Sequence, residues 1–311
     1  MPELPEVETV RLGLSEYLTG ANIRAIEILD ERSLKRHLAG PKDFVKTLAD
    51  ARILGVVRRG KFLWMPLQLK GESQTKHALV GHLGMSGQML IRDHGAEPDK
   101  LTRIVMFVET QSGERLEFRF VDQRIFGSLQ IDELVETHDG APGGYSAGVG
   151  SSQAWLNQIP RSAAHIARDP LDESFDEAAV LAKFKKKNSG IKRVLLDQGV
   201  LSGIGNIYAD EALWVCKLHY DYPANRISSA KARELVAAAR SILEKAVLAG
   251  GTSFDEQYKN VNGESGYFEV SLNAYGQTGK PCVRCGREIK RDSWMNRGSH
   301  FCPNCQKLKR P

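Results

Sequence analysis

The chain has 311 residues, 41% of them apolar, and a formal net charge of +5, which suits roughly two domains, each with its own core. No apolar run approaches the ~18 residues that a membrane span needs, and no charged-then-apolar leader opens the chain, so an intracellular protein with no membrane partner is expected. Charge is uneven: residues 280–311 carry nine Lys and Arg against Glu288 and Asp292, a net +7 that leaves the rest at −2. Such a cluster is either the footprint of a phosphate-backbone binder or a solvated basic tail.

The chain opens Met1-Pro2-Glu3-Leu4-Pro5-Glu6-Val7-Glu8-Thr9. Removal of Met1 before a small residue leaves Pro2 as a secondary amine. An α-amino group with a pKa of roughly 7.7 to 8.0 is partly unprotonated at neutral pH and can attack an aldehyde-like carbon to give an imine. Glu3 then stands beside it as an acid or base. A frayed acidic terminus is the competing reading. Leu4, Val7, Val10, Leu14 and Leu18 recur at spacings of three and four, which predicts a helix over residues 2–18. Short strands follow at 23–28, 53–69, 78–83, 104–108 and 116–120, the last alternating apolar with charged residues. They predict a mostly antiparallel, sandwich-like β domain. Residues 133–152 turn Gly- and Ser-rich and read as a linker.

Helices are predicted next at 175–187, 191–198, 206–218 and 229–248, the last stopped by Gly250-Gly251. Between the second and third lies Gly199-Val200-Leu201-Ser202-Gly203-Ile204-Gly205-Asn206, two turns ending on a residue able to cap a helix. Exposed N–H groups at such a start suit a phosphate, and a tight connection with no ligand suits the spacing equally. The strongest motif is Cys282-x2-Cys285-x16-Cys302-x2-Cys305, the pattern of a tetrathiolate zinc ribbon or of redox pairs. Four thiolates leave no open position, so the metal would be structural and would stiffen the hairpin carrying Arg291 and Arg297. Cys216 reads as a core residue. Three further motifs are weak singly: Lys61 at a basic turn, His82-Leu83-Gly84-Met85-Ser86-Gly87, and Asp122-Gln123-Arg124-Ile125-Phe126-Gly127. Each reads as a strand end or turn, although a Met held between glycines can also wedge between bases.

Together these motifs are ordered along the chain as in the formamidopyrimidine-DNA glycosylase family, which it resembles from end to end: Pro2 to Thr9, Lys61, His82 to Gly87, Asp122 to Gly127, Gly203 to Asp210, Gly266-Tyr267-Phe268, Tyr275-Gly276 and the finger with Arg297. The resemblance implies a multi-domain α+β protein. An N-terminal antiparallel β-sandwich with a flanking helix (2–135) is joined by a hinge (136–160) to a helix-two-turns-helix domain (161–268) and a zinc finger β-hairpin (269–311), with DNA in the cleft.

It also implies a bifunctional glycosylase and abasic-site lyase of base excision repair, acting on 8-oxoguanine and formamidopyrimidines. Pro2 attacks the sugar C1′, Glu3 gives acid/base help, and Lys61 contacts base or phosphate. Arg297 holds the phosphate beside the lesion and assists δ-elimination. His82, Lys187, Lys192, Asn206 and Tyr275 contact the DNA backbone. Met85, Arg124 and Phe126 fill the gap left by the flipped base, Arg124 bonding the orphaned cytosine, and residues 261–267 fold over the extruded base. One structural Zn2+ on Cys282, Cys285, Cys302 and Cys305, a monomer, a damaged double-stranded DNA partner, and a bacterial cytoplasmic, nucleoid-associated location complete the expectation. Two departures stand out, Ile125 where the family often has a second arginine and Leu101 near a usual histidine. Two other readings remain open: the same chemistry on oxidised pyrimidines, as in the endonuclease VIII type, and a non-enzymatic reader of damaged DNA, against which Pro2, Glu3 and Lys61 argue.

Overall fold

The computed structural model describes residues 2–146, 153–251, 261 and 272–308, which form two compact units. One runs to His165 and includes Gly250, Gly251 and Val261; the other holds Ile166–Ala249 and residues 272–308.

Helix α1 (Leu4–Leu18) follows from its apolar spacing. Leu4, Val7, Val10, Leu14 and Leu18 are all buried, each contributing about 1.5 to 3 kcal/mol relative to exposure. Pro5 falls in the first turn, where its missing N–H costs nothing. After α1 come β1 (Asn22–Ile28), α2 (Pro41–Leu48), β2 (Arg52–Ile53), β3 (Val57–Arg59), β4 (Phe62–Gln68), β5 (His77–His82), β6 (Gly87–Asp93), β7 (Thr102–Glu109), β8 (Arg115–Asp122), β9 (Ser128–Glu136) and β10 (Gln158–Pro160). All pair antiparallel in one sheet ordered β10-β9-β5-β4-β2-β1-β7-β8-β6, with β3 on β4. The strip folds back on itself. A Cβ at Gly81 of β5 would stand 2.0 Å from Met89 Cε of β6, although those strands lie far apart in the hydrogen-bonded order. The expected sandwich is thus one continuous sheet, and its core packs α1 against residues such as Ile23, Leu63, Met89, Met106 and Phe118.

One expectation changes here. The single strand over 53–69 is three, because Gly60, at φ +56°, turns the chain between β3 and β4 and sets Lys61 at the tip. Helix α2 buries only Phe44 and Leu48, too few apolar positions to show a period. The described part of the expected linker or hinge at 136–160 is hydrogen-bonded to the first unit's sheet. Arg58 and Tyr145 exchange backbone hydrogen bonds at 3.0 and 2.7 Å, Gly143 N–H donates to Leu156 at 2.6 Å, and β10 extends the sheet. Residues 147–152 of the expected linker lie outside the described residues.

The second unit contains α3 (Glu177–Lys186), α4 (Ile191–Leu195), α5 (Asn206–Val215), α6 (Ser229–Leu248) and the hairpin β11 (Lys290–Trp294) with β12 (Arg297–Phe301). Ser228 caps α6 by accepting the Lys231 N–H at 3.2 Å, and Gly250 and Gly251 follow its end at φ +74° and +84°. Met295 and Asn296, at φ +46° and +58°, form the two-residue hairpin turn that precedes Arg297.

Candidate active site and nucleic-acid interface

Pro2 and Glu3 are not frayed. Both are buried, Glu3 at 3% exposure, and Glu3 is the N-cap of α1. Its N–H donates to the Glu6 carboxylate at 2.8 Å in a capping box. Behind this start lies a buried ionic cluster: Glu8 accepts from Arg11 at 2.8 Å and from Arg58 at 2.7 Å. Both guanidinium groups also lie over the Tyr145 ring, at 5.2 and 5.7 Å. Arg58 belongs to β3, so the cluster ties the first helix to the strand that leads into the Gly60-Lys61 turn. Lys61 is half-buried at that turn. The pairing of Glu8 with Arg58 escapes a motif search, since only the fold brings residues fifty apart together.

Met85, Arg124 and Phe126 are exposed on two loops that interlock. The organiser is Asp122, fully buried at the end of β8. It accepts from Ser86 Oγ at 2.5 Å, Arg124 N–H at 3.1 Å and Gly127 N–H at 2.7 Å. Ser86 Oγ in turn accepts the Arg124 N–H at 3.1 Å. Gly84, at φ +62°, is needed for the approach, because a Cβ there would stand 2.6 Å from the Gly127 nitrogen. Ile125 sits at φ +56°, a conformation costly for a β-branched residue, and Lys35 Nζ donates to its carbonyl at 2.6 Å. Burial, with the nearby charges of Arg36 and Lys35, pushes the His82 pKa down to about 4. Its Nδ1 accepts the Gly84 N–H at 3.2 Å, which leaves the ring neutral with Nε2–H as donor.

In the second unit Asn206 does not cap α5 as its position suggested. Gly205 is the cap, and the Asn206 amide donates to Gly298 O at 3.0 Å while its buried Oδ1 has no partner among the described residues. Lys192, expected at the DNA backbone, is 0% exposed and pairs with Asp210 at 2.7 Å. Its ammonium also donates to Ser299 Oγ at 2.9 Å and Gly298 O at 3.2 Å. An ammonium enclosed in this way cannot reach a phosphate, and it holds α4, α5 and β12 together instead. Asp210 further accepts the His300 N–H at 2.9 Å. Glu211 accepts three backbone N–H groups, from Asn273, Ala274 and Tyr275, at 3.0, 2.7 and 2.9 Å. Burial pushes its carboxyl above the usual range, and those donors oppose the shift. Tyr275 is thereby set edge-on to His300, with centroids 4.7 Å apart. Arg297 and Lys187 are exposed, Lys187 in a surface pair with Asp197 at 3.3 Å.

The four finger cysteines place their sulfurs within 4.8 Å of one another. Thiolates ~2.3 Å from one tetrahedral ion stand about 3.8 Å apart, so the set fits zinc. The chain holds one structural zinc ion here. Arg284 lies over Trp214, 3.7 Å from its ring centroid, and donates to the Trp214 and Val215 carbonyls at the end of α5. Cys282 and Cys302 pack on Trp214 with Ala274 and Ile289. Of the loop expected over 261–267, only Val261 is described. It is buried against Gly13, and its carbonyl accepts from Ile91 N–H and Arg92, both at 3.1 Å. The Gly266-Tyr267-Phe268 motif lies outside the described residues.

A sheet unit begun by a buried Pro-Glu pair, followed by a two-turn helical unit with a tetrathiolate finger, is the build of a DNA repair glycosylase. Three family models match in order: the formamidopyrimidine-DNA glycosylase N-terminal domain over residues 1–129, the H2TH domain of those enzymes over 166–257, and the zinc finger found in FPG and IleRS over 279–308. The chain belongs to the formamidopyrimidine-DNA glycosylase family. It is 53% identical over 310 residues to the formamidopyrimidine-DNA glycosylase of Leifsonia xyli, covering 99% of this chain and 100% of the relative. To that of Streptomyces coelicolor it is 46% identical over 311 residues, covering 100% and 99%. Lactococcus lactis Fpg bound to abasic-site DNA matches with a TM-score of 0.77 at 30% identity, covering 98% of this chain and 99% of that one. The same Lactococcus protein has been crystallised with DNA containing an oxidised pyrimidine, matching at TM-score 0.77 and 30% identity over 98% and 100%.

Proposed function

We propose that this chain excises oxidised purines from duplex DNA and then cleaves the strand at the abasic site. The observation that carries the reading is the fixed start of α1: Pro2 and Glu3 are buried and the capping box with Glu6 fixes the Glu3 backbone, as a nucleophile and its acid/base partner require. Pro2, freed by loss of Met1, attacks the sugar C1′ as the base leaves, and the imine makes the C2′ proton easier to remove, so β- and δ-elimination need no organic cofactor. Glu3 moves protons at the sugar ring, and Lys61 at the neighbouring turn contacts base or phosphate. Met85 and Phe126 fill the stack and Arg124 meets the orphaned cytosine. His82 Nε2–H, Lys187, Asn206, Tyr275 and Arg297 engage the backbone. An amide carries two hydrogens, so Asn206 keeps one for a phosphate. Neutral His82 adds a hydrogen bond and no counterion release. Acting on chromosomal DNA places the enzyme in the bacterial cytoplasm with the nucleoid.

Borohydride trapping on a duplex with 8-oxoguanine opposite cytosine tests the reading. The expected product is a covalent complex through residue 2, abolished when Met1 is retained or an N-terminal tag is added. Normal trapping and excision with a blocked N-terminus would show that Pro2 is not the nucleophile.

A further inference from the structure

At the C-terminal end of α5, the second unit contains a cavity of about 600 Å³ that the DNA reading does not use. Asn206 opens α5 and Lys217 lies just beyond its end, so eleven residues at ~1.5 Å each put the cavity roughly 16 Å along the helix from Asn206. Its rim carries Lys217, Arg226 and Lys307, all exposed, whose side chains have no carboxylate partner among the described residues. Lys231, the other cation there, is neutralised by Glu234 at 2.8 Å. His219 reaches in from the floor. It is 9% exposed, its Nδ1 accepts the Asp221 N–H at 3.2 Å, and Nε2 therefore holds the proton, with no acceptor among the described residues. Beside it Leu218, Tyr222 and Ile227 supply an apolar wall.

Three cations with no carboxylate partner among the described residues, on a lining that also includes the finger ligand Cys305, surround one buried N–H donor and form a site for a compact anion, and like charges repel one another until an anion arrives. The apolar wall adds a place for a flat body attached to that anion, and the volume falls in the range of small-ligand sites. We propose that this cavity binds a phosphomonoester carrying a ring, with the phosphate on Lys217, Arg226, Lys307 and His219 and the ring on Tyr222 and Ile227. The same chemistry occurs in a free nucleoside monophosphate and in the phosphorylated end of a DNA strand.

Calorimetric titration of the zinc-loaded full chain with adenosine 5′-monophosphate, adenosine, inorganic phosphate and a 5′-phosphorylated oligonucleotide tests the proposal. One saturable site for the monophosphate is expected, with adenosine and inorganic phosphate each at least roughly tenfold weaker. The double variant Lys217→Ala/Arg226→Ala is expected to lose at least tenfold in that affinity while keeping its zinc and its excision rate on lesion duplex. Tighter binding of the phosphorylated oligonucleotide than of its unphosphorylated form, lost in the same variant, identifies a strand end as the source; a free nucleotide is the source if only the monophosphate binds. No saturable binding of either phosphomonoester, unchanged binding in the double variant, or inorganic phosphate binding as tightly as the monophosphate would each overturn it. Displacement of the nucleotide by an abasic-site duplex one for one, with the double variant unaffected, would assign the binding to the DNA site and likewise overturn it.

Discussion

Met85 and Phe126 are 37% and 49% exposed, and in the wedge role proposed above a stacked duplex offsets the cost of exposing large apolar side chains on loops this firmly braced. Extruding a base costs a few kcal/mol, and each inserted side chain returns about 1 to 3 kcal/mol on the scale of stacking contacts. Met85→Ala and Phe126→Ala are therefore expected to slow excision of 8-oxoguanine by roughly ten- to a hundredfold at about 1.4 kcal/mol per decade. Cleavage of a preformed abasic site, with less to extrude, is expected to suffer much less. Single-turnover rates on the two duplexes decide the matter, and equal losses on both would remove the wedge role. Asp122 shows what residue-by-residue reading misses. It stood in a recognised motif as an ordinary strand-end acid, but its three acceptor contacts in the buried end of β8 set where Arg124 and Gly127 point.

At the level of elements, α4, α5 and β12 meet through the Lys192–Asp210 pair rather than through apolar contact alone. Removing one member of a buried pair leaves the other charge uncompensated, at a cost of about 3 to 5 kcal/mol. Lys192→Met is expected to lower unfolding stability on that scale in urea titrations. Lys187→Ala breaks only a surface pair with Asp197, worth about 0 to 1 kcal/mol. Its expected effect is instead on DNA binding, where the slope of log affinity against log salt falls by about 0.9. A Lys192→Met protein as stable as the parent would contradict the structural role given to the pair, and an unchanged salt slope in Lys187→Ala would remove Lys187 from the DNA contacts. The two lysines looked equivalent in the sequence because charge is visible there and burial is not.

For the whole molecule, the first unit's core cluster contains no finger residue among the described residues, and Cys282, Cys302 and Cys305 pack on Trp214 in the second unit. Losing the metal is therefore expected to have a local consequence. Cys282→Ser should abolish zinc in elemental analysis and weaken duplex binding, while limited proteolysis still yields an intact first unit with Trp64 and Trp155 buried. Absence of zinc from the unmodified protein would refute the metal assignment.

The sequence by itself determined the elements whose signals are local. Apolar spacing set α1, and α6 ends where Gly250-Gly251 begins. The cysteine spacing set the finger, because two knuckles need only short turns to face one ion. The ordered motifs set the family. Tertiary structure decided the rest, because it depends on partners distant in the chain. It turned Lys192 inward to Asp210, placed Arg58 against Glu8, and left Asn206 reaching for Gly298 instead of capping its own helix. It also folded the presumed hinge onto β3 and β9, where Gly143 and Gly144 allow close backbone approach that composition alone reads as slack.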